Sequence, residues 1–253
     1  MQFNLFTLIF LIAIFAYAIT LLWLNVRQGK AVSKSFNAVP SEFSANISLP
    51  EHQKSANYTQ AKLRLSHAEI LFSTLILLIW TLGGGLDFLD GLWQTQSNNN
   101  LHTGVGFIAS LMLIGGLLDL PFSLYRTFVL EQKFGFNKTD GKTFITDLLK
   151  GLLLILLIAL PLIYAVLYLM AAMGEFWWIY VWLVLTGFSL LMLWLYPSYI
   201  APIFNKFKAL EDAKLKAKID NLLQRTGFKS DGIFVMDGSK RSSHGNAYFT
   251  GIG

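Results

Sequence analysis

Residues able to do chemistry gather near one end of the chain, in Ser239-Lys240-Arg241-Ser242-Ser243-His244-Gly245-Asn246-Ala247-Tyr248-Phe249-Thr250. Three hydroxyls, two cations, an imidazole and an amide fall within eight residues, 239 to 246. Such a set can bind an anion, hydrogen-bond a peptide carbonyl or exchange a proton near neutral pH. Asn246 to Thr250 reads as a short strand, whose main chain would offer a row of N–H and C=O groups. The set is not a complete catalytic constellation. The chain has no His-Glu-x-x-His pair, no Gly-x-Ser-x-Gly elbow and no phosphate-binding glycine loop. It has no cysteine, which excludes disulfides, thiolate ligands and thiol nucleophiles. His52, His67 and His102 have no second ligand at metal spacing and read as surface residues, so no metal ligand is assigned.

The elements that must position this loop are mostly membrane. Hydrophobic residues make up 54% of the chain and charged residues 14%, where a soluble domain carries nearer a quarter charged. The apolar residues fall into five blocks long enough to cross the hydrocarbon as helices, at about 3–25, 68–93, 104–125, 148–172 and 176–196. Ala16-Tyr17-Ala18 resembles a signal-peptidase site, but Met1 to Phe6 carries no positive charge and the apolar run continues to Leu24, so an uncleaved anchor is expected. Positive charges alternate between the connections. Arg27, Lys30, Lys34, Lys54, Lys62 and Arg64 follow the first span, and Arg126, Lys133, Lys138 and Lys142 follow the third. Lys and Arg are frequent again after Tyr196, whereas the other two connections have none. That pattern places the first and third loops and the C-terminus in the cytoplasm. It accounts for the positive net charge without nucleic acid, for which nothing else in the chain argues.

Beyond the fifth span, ended by Pro197 and Pro202, Leu210 to Arg225 reads as an amphipathic helix stopped by Gly227. Gly232 to Met236 reads as a strand, with Asp237-Gly238 turning the chain. The expected fold is an all-α multi-pass membrane protein of about five transmembrane helices with a small C-terminal cytosolic α+β fragment. Residues 1–200 form the membrane domain and 201–253 the start of a cytosolic domain. Asp119, two residues before Pro121, either lines a hydrated cavity or is a helix-end acid shielded by a kink. Asp87 and Asp90 read as interfacial; Glu131, Lys133, Asp147 and Lys150 read as solvated loop charges. Asn46, Asn57 and Asn137 sit in glycosylation-type triplets that read as chance matches on the cytoplasmic side. Glycines within spans two and three could mark close helix packing.

Several blocks resemble one family. Residues 238–249 resemble the segment just ahead of the zinc motif in type I CAAX prenyl proteases, which are integral-membrane zinc metalloendopeptidases. Residues 196–207 (Tyr-Pro-Ser-Tyr-Ile-Ala-Pro-Ile-Phe-Asn-Lys-Phe) resemble the family's membrane exit. Pro121 to Tyr125, Phe128 to Glu131 and Phe134-Gly135-Phe136-Asn137-Lys138-Thr139 resemble its central cytoplasmic loop, and Tyr58 to Arg64 the stretch before its second span. The resemblance implies helices around a hydrated chamber and a substrate that adds as an extended strand to an Asn-Ala edge. Asn246 and Ala247 would be that edge, with Tyr248 and Phe249 on alternate faces and His244, Lys240 and Arg241 close to the cleft.

The resemblance implies zinc in the full-length family member, held by a His-Glu-x-x-His helix and a further glutamate downstream of the edge strand. Neither element is present here, so the chain is expected to be a truncated or split product, or an incomplete record, and inactive alone. Expected partners are the lipid bilayer and a peptide or protein substrate, with prenylated C-terminal tails or misfolded membrane-protein fragments as classes. The absence of cysteine and the compact loops favour a bacterial inner membrane over the endoplasmic reticulum. Two other functions fit the same residues: a non-catalytic membrane scaffold or binding module, and a small transporter, which would need functional acids in its spans and an internal repeat.

Overall fold

A computed structural model describes residues 4–96, 99–230 and 232–249. Contacts divide the chain into two packing units, Met1–Gly135 and Phe136–Gly253.

In the first unit, α1 (Leu5–Lys34) and α2 (Leu49–Thr81) pack side by side, α3 (Gly85–Gln96) follows, and α4 (Asn100–Phe134) returns. Both α1 and α2 run well beyond their apolar blocks, so much of the segment 26–67 expected to be a loop is helix. The capping box explains where α2 starts: Glu51 N–H donates to Ser48 Oγ (3.4 Å) and Ser48 N–H donates to Glu51 Oε2 (2.9 Å), with Pro50 in the first turn. The second span, expected as one piece over 68–93, instead breaks at Leu82–Gly84, where three successive glycines lower helix propensity. Gly106 on α4 shows the close packing expected of a span glycine. A Cβ there would stand 2.5 Å from the Trp93 ring of α3, whose indole N–H donates to Ser110 Oγ at 3.0 Å. Pro121 does not end α4. The helix continues through a π turn, Arg126–Glu131, to Phe134.

The second unit holds α5 (Gly141–Ala172) and α6 (Gly174–Phe204). Asp140 caps α5, accepting from Thr143 N–H at 2.8 Å. Pro197 and Pro202 do not end the fifth span at residue 196 as expected. A π turn, Tyr196–Ile200, takes in Pro197, and Pro202 sits in the first turn of the final segment Ala201–Phe204, where a missing N–H is tolerated. Next come β1 (Phe207–Ala209), α7 (Ala213–Thr226) and β2 (Phe234–Met236). β1 and β2 pair antiparallel, Phe207 opposite Met236 and Ala209 opposite Phe234. β1 was not expected: three residues following a membrane exit show no usable alternation. Gly227 ends α7 at φ +72°, a left-handed cap that returns its N–H to Gln224 O.

Side-chain exposure is that of a protein whose solvent is lipid. Leu71, Leu75, Leu113, Leu117, Leu157 and Trp182 all point outwards from the spans, and among the described residues no large side chain is fully enclosed. In water such continuous apolar surface would drive aggregation, while hydrocarbon accepts it.

Candidate substrate-edge site

The site is built on the second unit. Lys206 N–H donates to Asp237 Oδ1 (2.6 Å) and Asp237 N–H to Lys206 O (3.0 Å), which extends the β1–β2 pairing by one step. A single 3₁₀ turn, Gly238–Lys240, then reverses the chain. Lys240 Nζ lies 2.8 Å from Asp237 Oδ2. That hydrogen bond, followed by the Lys206 N–H, holds the Asp237 carboxyl below the ordinary carboxylate range.

Arg241 is the anchor. Its Nε and Nη2 donate to Asp147 Oδ2 and Oδ1 at 2.7 and 2.9 Å, a bidentate fork, and Nη1 donates to Asn205 Oδ1 at 3.1 Å. The bond to the Asp147 carboxylate raises the Arg241 pKa above its already high ordinary value. The Arg241 carbonyl accepts from Lys138 N–H (3.0 Å) and Thr139 Oγ (3.1 Å). Asn137 shapes that partner segment, its Oδ1 accepting from Thr139 N–H at 2.7 Å, so this triplet asparagine has a structural role. Ser242 bridges Asn137, and Ser243 N–H donates to Phe136 O at 3.0 Å. The loop is thereby joined to the Phe-Gly-Phe-Asn-Lys block from about a hundred positions earlier.

His244 stacks on Phe136, ring centroids 4.1 Å apart and 24° between planes. Its own N–H donates to Ser242 Oγ at 3.1 Å. Asn246, Ala247 and Tyr248 follow as exposed chain. Residues 246–249 carry no regular secondary structure, which corrects the expected strand there; Thr250 lies outside the described residues. A strand is defined by its ladder, and this segment has no ladder partner among the described residues. Ala247 N–H donates to Asn246 Oδ1 at 2.9 Å, the Tyr248 hydroxyl donates weakly to Met236 Sδ, and Phe249 packs edge-on against Phe228. No group of three or more His, Cys, Asp or Glu among the described residues is placed to share a metal ion. The residues present therefore do not fit a zinc centre by themselves.

Several residues read as solvated loop charges prove to be connectors. Asp147 is the anchor of Arg241, 94 positions away. Lys150 donates to Ile203 O at 2.7 Å, tying α5 to the end of α6. In the first unit, Glu131 accepts from the Tyr58 hydroxyl at 2.6 Å, 73 positions away, and Arg126 pairs with Glu69. The only sequence signal for the Tyr58–Glu131 contact was that both lie in family-like blocks. Asp119 is exposed on α4.

Five apolar spans with a small helix-and-strand fragment define a multi-pass helical membrane protein. Residues 28–206 match the family model described as CAAX prenyl protease N-terminal, five membrane helices, and the chain belongs to that family. It is 37% identical over 240 residues to the CAAX prenyl protease 1 homolog of Oryza sativa subsp. japonica, a match covering 91% of this chain and 55% of that protein. It is 34% identical over 244 residues to CAAX prenyl protease 1 of Saccharomyces cerevisiae, covering 91% and 52%. The crystal structure of S. mikatae Ste24p matches with a TM-score of 0.83 at 36% identity, covering 94% of this chain and 57% of that one. The chain spans about half the length of the curated relatives it matches.

Proposed function

We propose that this chain supplies the membrane body and the substrate-gripping edge of a zinc metalloendopeptidase. In this reading residues 1–200 form the membrane domain and 201–253 begin the protease domain. The carrying observation is the Arg241 clamp: it fixes the start of an exposed Asn246-Ala247-Tyr248 segment whose backbone lies open to an incoming peptide. A substrate would add there as an extended strand, main chain to main chain. Asn246 Oδ1, now on the Ala247 N–H, would give way to a substrate carbonyl, and His244 and Tyr248 would flank it. Zinc and the residues that activate its water belong to the full-length family member, and no step through the metal is assigned to this chain.

The substrate is a peptide or protein at the membrane face, with prenylated C-terminal tails the class that the relatives' name points to. The charge pattern favours a cytoplasmic C-terminus. Compact loops and the lack of cysteine favour a bacterial inner membrane; plant and yeast relatives favour a eukaryotic one. Fractionation of source cells separates these compartments.

The test uses the chain extended by the reading frame beyond codon 253, with zinc content and cleavage of a prenylated peptide as readouts. Ala247→Pro removes one main-chain donor and should lower kcat/KM about tenfold at unchanged zinc content. An extended protein that carries the zinc motif yet binds no zinc and cleaves nothing would refute the reading. Full activity in Ala247→Pro would refute the edge assignment alone.

A further inference from the structure

His67 reads as a surface residue by spacing alone, but its Nε2 is buried without a hydrogen-bond partner among the described residues. It lines a groove of about 570 Å³ between α1 and α2. Their contacts run in opposite order along the two helices, so the pair is antiparallel. Asn25 Nδ2 donates to Ser66 Oγ (2.9 Å), and Gln60 Nε2 donates to Gly29 O (2.7 Å) and Ser33 Oγ (3.0 Å). Lys30, Lys34 and Arg64 also line the groove, and no carboxylate does. None of these three cations forms an ion pair among the described residues.

The depth of the groove is set by the sequence. The apolar block of α1 ends at Leu24, and that of α2 begins just after His67. The Asn25–Ser66 bond therefore marks the level where both helices leave the hydrocarbon. Trp23, with Arg27 over its ring at 5.6 Å, belongs to the same level, as interfacial indoles do. This is the depth of lipid phosphates. Three exposed cations beside that level attract an anionic headgroup, and a buried polar nitrogen without a partner is costly.

We propose that the α1–α2 groove binds the phosphate headgroup of an anionic membrane lipid. Lys30, Lys34 and Arg64 provide the charge, and the His67 Nε2–H donates to a phosphate oxygen at the floor. Asn25 and Gln60 hold the two helices apart at the width of the groove. The acyl chains lie along the outward apolar faces of α1 and α2 below it. The site requires no proteolytic activity and stands independently of the function proposed above.

The experiment is native mass spectrometry of the purified full chain in detergent, titrated with dioleoylphosphatidylserine and with dioleoylphosphatidylcholine. Binding of the serine lipid at least tenfold tighter than the choline lipid is expected, and Lys30→Gln combined with Arg64→Gln should weaken it about tenfold. Lys30→Arg should retain it, and His67→Leu should weaken it severalfold. Lys214→Gln, on α7, should change nothing. Helix content by circular dichroism separates unfolding from lost binding. If the double variant is misfolded, the exposed-site variant Lys34→Gln, expected to weaken binding severalfold, takes its place. Equal binding of both lipids, or serine-lipid binding unaffected by these substitutions, would overturn the proposal. Inorganic phosphate occupying the groove while the serine lipid does not would overturn it too, in favour of a soluble anion.

Discussion

The α1–α2 pair and the 237–244 loop are both joined by polar side chains, but those side chains do different work. Each helix has satisfied its own backbone before the other arrives, so Asn25–Ser66 and Gln60–Gly29 only adjust how two finished rods sit together. The loop has little ladder of its own. Its conformation depends on one guanidinium that touches Asp147 and Asn205, on one carbonyl that accepts from Lys138 and Thr139, and on the neighbouring Ser243 N–H that donates to Phe136 O. Polar bonds between helices are small and replaceable, whereas those that hold an irregular segment are concentrated in few residues. Sites built on loops inherit that dependence.

Arg241→Ala should break the comparison most sharply. It leaves the Asp147 carboxylate without its fork, and the loss should be about 2 kcal/mol, charged hydrogen bonds discounted for a partly exposed pair. A double-mutant cycle with Asp147→Ala measures the coupling. Hydrogen exchange should show lost protection at the Ser243 and Lys138 amides and none at the α1–α2 pair. Arg241→Lys should not restore it, because an ammonium cannot make the bidentate fork.

Asn25→Leu tests the other side. Hydrogen bonds between membrane helices average about 0.6 kcal/mol, so thermal unfolding in detergent should shift only slightly. A loss as large as that of Arg241→Ala would erase the distinction drawn between the two regions.

The smallest effect concerns acid. The folded pKa of Asp237 is lowered, chiefly by Lys240, so its contribution is present above the unfolded carboxylate value of about 4 and is lost as pH falls through the lower folded value. Protection of the Lys206 amide, which donates to Asp237, should therefore fade on acidification below about pH 4. Asp237→Asn should flatten that part of the profile.

The five spans could be read from hydropathy because a bilayer sorts residues along a single axis. A run of about twenty apolar residues has few alternatives to a membrane helix. Gly227 as a helix stop and the strand ending at Met236 were equally local, and both stand. The ends of the spans were not. Helices continue past the hydrocarbon for as long as their own ladders and caps allow, which is why Ser48–Glu51 rather than hydropathy starts α2.

Composition and local pattern were thus enough for the membrane class, the number of spans and the gathering of polar residues in 239–250. Only the folded chain decided that Arg241 meets Asp147, that Tyr58 meets Glu131, and that the His67 Nε2 is buried in a groove lined by three cations. The physical reason is that burial in lipid depends on each residue's own transfer energy, summed over a short window. A side-chain contact across many tens of residues depends on where two independently formed elements come to rest.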